Sequence, residues 1–61
     1  MAHEPSLEEL RAEAAHAAER LALYRRKMLL GRGDPRVLAS RERVSHGATE
    51  RLRRAEAVRP G

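Results

Sequence analysis

Apolar residues recur at Leu7, Leu10, Ala14, Ala17, Leu21, Tyr24 and Met28, with steps that alternate between three and four residues. That rhythm is the a/d seam of a heptad helix. Ser6-Leu7-Glu8-Glu9 has the form of a capping box, so the pattern predicts a helix from Leu7 to Leu30. A second stripe, Ala15, Ala18, Ala22 and Leu29, flanks the first and makes the apolar face wider than one neighbouring helix can cover. Leu23 and Leu30 lie further round.

Gly31-Arg32-Gly33-Asp34-Pro35 then supplies a helix stop, a turn and a helix start. Gly suits the left-handed position just past a helix, and Asp followed by Pro suits the N-cap and first position of the next. With a turn over 31–34, the second helix is expected from Pro35 to about Ala57, ahead of Pro60. Its apolar face is read as Val37, Leu38, Val44, Ala48, Leu52, Ala55 and Val58. Gly47 falls inside it at a cost of about 1 kcal/mol against Ala. Either a close helix crossing offsets that loss, or the helix kinks or breaks near Ser45 to Gly47.

The expected fold is all-α, a two-helix antiparallel hairpin resembling a coiled coil, over the single unit 1–61. So short a turn makes facing residue numbers sum to roughly 65. Met28 then faces Leu38, Leu21 faces Val44 and Ser45, Ala17 faces Ala48, Ala14 faces Leu52 and Leu10 faces Ala55. Small residues oppose large ones at several levels, which lets two helices interdigitate. Arg41 interrupts the second stripe opposite Tyr24, where it either stacks on the ring or extends its stem to solvent.

Sixty-one residues with no Cys, Trp or Phe leave little with which to build a core. Chains this small usually need a disulfide, a metal or another chain. Without Cys, the expectation is that the hairpin completes a four-helix bundle by homodimerisation or docks on a larger protein. The longest apolar runs, such as Leu21-Ala22-Leu23-Tyr24, are far below the roughly 20 residues of a membrane helix. Met1-Ala2-His3-Glu4-Pro5 lacks the basic and apolar regions of a secretion signal, so a cytoplasmic location is expected. Twelve Arg against one Lys, with 11 Ala, resembles the codon bias of a GC-rich bacterial genome.

Charge is polarised along the chain. Up to Glu19 the net charge is −4, and from Arg20 onward it is +8. In a hairpin, Arg51, Arg53, Arg54 and Arg59 return beside Glu4, Glu8, Glu9 and Glu13. The turn end keeps its excess, with a basic tip of Arg25, Arg26, Lys27, Arg32 and Arg36, joined by Arg41 and Arg43. Such a tip suits the acidic end of a second copy, the phosphates of a nucleic acid, or an anionic membrane met by Arg20 to Leu30. It offers no aromatic interleaving for base stacking.

Short motifs add little. Arg32-Gly33-Asp34 resembles the integrin-binding tripeptide of adhesion proteins, yet Asp34 has a local reason as a cap and Gly33 as a turn residue. Leu7-x-x-Leu10-Arg11 resembles the opening helix of the all-helical chorismate mutases, whose arginines hold a dicarboxylate substrate. That likeness covers one helix, and the family's later site residues have no counterpart after Arg43, so the chain is not assigned to it. His3, His16 and His46 lack metal-ligand spacing, and no nucleophile, base and orienter constellation is legible. The expectation is therefore a non-enzymatic interaction module with no catalytic, metal or cofactor site. Leu7, Leu10, Leu21, Tyr24, Met28, Val44 and Leu52 form its contact seam, and a nucleic-acid-binding accessory protein using the basic tip is the alternative.

Overall fold

A computed structural model describes residues 4–58. Two α-helices, α1 (Leu7–Leu29) and α2 (Pro35–Ala57), pack antiparallel against each other, and no strand occurs among the described residues. At 23 residues each they are about 34 Å long. Helix α1 stops one residue earlier than its apolar pattern, because Leu30 is the C-cap.

The punctuation follows from local chemistry. Ser6 Oγ accepts the Glu9 amide at 3.1 Å. At the far end Gly31 takes φ +73° and donates its amide to Met28 at 2.9 Å, while Arg32 donates to Lys27 at 3.1 Å. This pair of bonds is a Schellman motif, which satisfies carbonyls that the helix leaves open. Gly33 is small for a different reason: a Cβ there would overlap the Met28 side chain and approach its Cα to 3.3 Å. Asp34 Oδ1 then accepts the Arg36 amide at 2.9 Å, with Pro35 at the first helical position.

Tyr24 ties the turn to α1. Its hydroxyl accepts the Asp34 amide at 2.7 Å and donates to the Asp34 carbonyl at 3.3 Å. The cation over its ring is the Lys27 ammonium, 5.7 Å from the centroid, rather than Arg41.

Between the helices the buried residues are Leu10, Ala17, Leu21 and Ala48. Half-buried Leu7, Ala14, Tyr24 and Met28 complete the α1 seam. On α2 the inward series is Leu38, Arg41, Ser45, Ala48, Leu52 and Ala55. Ser45 therefore occupies the position expected of Val44, which is 56% exposed. The heptad stride from Leu38 reaches residue 45, and position in the stride outweighs the greater hydrophobicity of the neighbouring valine. Val58 is likewise exposed, as the C-cap of α2.

Helix α2 runs unbroken through Gly47. No helix crossing accounts for the glycine, since a Cβ there would meet only Arg51 Nη1 at an ordinary 3.5 Å. Gly47→Ala is therefore expected to stabilise the hairpin by about 1 kcal/mol. Thermal denaturation should rise by about 4–8 °C; a lower midpoint would show that the glycine has a structural role.

Candidate interaction surface

The hairpin measures 46 × 27 × 14 Å, so it is one helix layer thick. Its radius of gyration of 14.1 Å exceeds the roughly 10.5 Å of a compact domain of this length. Its 5170 Å² of accessible surface exceeds by about 1,200 Å² the roughly 4,000 Å² expected of a folded 6.9 kDa monomer. Most domains close a core between two layers, and this chain supplies one.

The seam residues are used within the chain. Leu10 and Leu21 are buried between the helices, while Leu7, Tyr24, Met28 and Leu52 are half-buried in the same interface. What remains outside is the second stripe: Ala15, Ala18, Ala22 and Leu29 are all exposed, Leu29 at 87%. Leu23 and Leu30 are exposed as well.

Ion pairs define the two broad faces. On one face Arg11 meets Glu56 at 3.7 Å and Arg25 meets Glu42 at 3.6 Å. Ala18 lies seven residues from both Arg11 and Arg25, and Thr49 seven from both Glu42 and Glu56, so all six share that face. Its middle, Ala18 and Ala22 beside Thr49, is small and uncharged. We call it the alanine face.

The opposite face has a different make-up. Arg51 Nη2 donates to Glu13 Oε1 at 2.8 Å, but two and four turns further toward the tip the equivalent α1 positions are Arg20 and Lys27, across from Val44 and Val37. Two adjoining depressions lie along it and share Arg20 and Arg41. One, of about 180 Å³, is floored by Ala17 and Ala48 and edged by Glu13, His16 and Val44. The other, of about 230 Å³, is lined by Leu23, Tyr24 and Lys27. Arg20, Lys27 and Arg41 have no carboxylate partner among the described residues.

At the tip, Arg25 is paired with Glu42, whereas Arg26, Lys27, Arg32 and Arg36 have no carboxylate partner among the described residues. At the open end, among the described residues, two ion pairs cross between the helices, Arg11 with Glu56 and Arg51 with Glu13. Arg53 pairs with Glu50 of its own helix at 3.6 Å. Arg59 and His3 lie outside the described residues. Among the described residues no group of three or more His, Asp or Glu could hold a metal ion, and no helix is long and apolar enough to cross a membrane. No protein-family model matches the chain, and neither the curated proteins nor the solved structures contain a match to it.

Proposed function

We propose that the protein is a small, non-enzymatic interaction module that completes its core by pairing with a second copy through the alanine face. It acts as an adaptor or regulator in a cytoplasmic setting. The observation that carries this reading is the single-layer architecture, with an exposed stripe of small and apolar residues beside the closed seam. The surplus surface of about 1,200 Å² per chain exceeds the roughly 800 Å² that each partner buries in a standard interface.

Overall charge differs between the two ends of the hairpin, while the charges flanking the face itself are paired within the chain, Arg11 with Glu56 and Arg25 with Glu42. Residues 4–17 and 48–58 carry a net −2, and residues 18–47 around the tip carry +5. A twofold axis through Ala18 and Thr49 would lay each tip on the other copy's open end and close a four-helix bundle. Small residues at the axis let the backbones approach closely.

Sedimentation of the wild-type chain is expected to give a dimer at micromolar concentration. Ala18→Glu places like charges together at the axis and should weaken association by about 100-fold or more while leaving the hairpin helical. A stable, cooperatively folded wild-type monomer at micromolar concentration overturns the proposal. A nucleic-acid role for the tip ranks second. It draws on Arg26, Lys27, Arg32 and Arg36, but Arg25 is engaged by Glu42, and the Tyr24 hydroxyl is bonded to Asp34 with Lys27 over the ring.

A further inference from the structure

The two faces of the hairpin treat their cations differently, and the difference is informative. On the alanine face both flanking arginines, Arg11 and Arg25, find glutamates on α2. On the opposite face only Glu13 finds its counterpart, in Arg51. Arg20 and Lys27 come level with valines instead. Arg41 adds a third cation, half-buried at a seam position where an apolar residue would pack better. Three like charges without a carboxylate partner give this face a positive potential that an approaching anion would lower.

We infer that this groove is a docking site for an acidic amphipathic helix of another protein. The groove has the shape for it: it runs between two antiparallel helices, is floored by the small side chains of Ala17 and Ala48, and is concave. A third helix laid along it would make the ordinary helix-in-groove contact. The chemistry has the matching order. Arg20 and Lys27 are seven residues apart, about 10.5 Å along the axis, so carboxylates at i and i+7 of the incoming helix meet both. Between and beside them Leu23 and Val44, 57% and 56% exposed, offer apolar contact to the residues in between. Arg41 lines both depressions from α2.

Alternating cations and apolar side chains select against the other anionic surfaces. A nucleic-acid backbone supplies phosphates but nothing apolar for Leu23 and Val44. A flat bilayer supplies both but does not reach a floor between two helices. The groove lies on the face opposite the alanine face, so its occupant and a second copy do not compete for the same surface.

The test is fluorescence anisotropy of the wild-type chain with a labelled synthetic helix carrying Glu at every seventh position beside a Leu and Ala stripe. The expected result is saturable, salt-sensitive binding. It should weaken about tenfold or more with Arg20→Gln combined with Lys27→Gln, and be unchanged by Arg26→Ala combined with Arg36→Ala at the tip. Circular dichroism verifies that the Gln variant keeps its helicity, and Arg41→Met, which keeps the stem and removes the charge, should weaken binding in the same direction. Equal binding of a scrambled peptide of the same composition overturns the inference, since charge without helical order would then suffice. So does binding of a DNA duplex or phosphatidylglycerol vesicles in preference to the peptide, or no binding at all. A chain that binds the peptide as a monomer removes the dimer and leaves the groove; a dimer that does not bind it does the reverse.

Discussion

Replacing Ala48 by Leu is expected to remove about 1–3 kcal/mol of the hairpin's stability and to lower its unfolding midpoint sharply. Ala48 is 1% exposed and stands level with Ala17, itself buried, where neither helix has a side chain larger than a methyl group. Three further carbons at that level must push α2 away from α1, which draws Leu21 and Leu10 out of contact as well. Overpacking a tight site costs about 1–3 kcal/mol, and a small single core rarely supplies more than about 3–5 kcal/mol in all. Far-UV circular dichroism and a urea titration check it. Ala57→Leu, at an exposed position near the end of α2, should leave the midpoint within about 0.5 kcal/mol of wild type. An unchanged midpoint for Ala48→Leu would mean that the helices do not close at this level.

Leu21→Ala acts in the opposite sense and should make folding depend on protein concentration. Leu21 is the largest buried side chain near the middle of the interface, and its loss leaves a cavity between Ala17 and Tyr24. Leu→Ala in a core costs about 2–5 kcal/mol, which is comparable to the entire stability of a hairpin this size. If pairing of two copies supplies the remaining stability, mass action should restore helicity as concentration rises. Dilution series followed by circular dichroism, with sedimentation at each point, would show helicity and dimer mass rising together. Helicity lost equally at every concentration would separate folding from association.

Much of this architecture is legible in the sequence because its signals are local. Ser6, Gly31, Asp34 and Pro35 each satisfy or omit a particular backbone group at a helix end, and each sits where that requirement arises. Register is legible too, because a four-residue turn leaves little freedom in which residues come level: Arg11 with Glu56 and Arg25 with Glu42 both sum to 67, close to the expected value of roughly 65. The failures are of another kind. Val44 reads as core by hydrophobicity, but the stride that starts at Leu38 turns Ser45 inward. Gly47 reads as a crossing or a break, but it has neither. The pattern leaves Arg41 either on the Tyr24 ring or extended to solvent; the cation over the ring is Lys27, and the Tyr24 hydroxyl reaches ten residues on to the Asp34 backbone. The cation groove was least legible of all. It exists only once Arg20 and Lys27 are seen opposite valines, a matter of partners rather than of any one segment.

The turn also has a consequence for how the chain could be joined to others. Because α1 and α2 are equally long and antiparallel, Glu4 and Val58 lie at the same end. That is the geometry of a spike. Grafted into a surface loop of a host protein, the hairpin would ask only that the loop open by the spacing of two packed helices, about 8–10 Å, and would hold its tip about 34 Å above the host's surface.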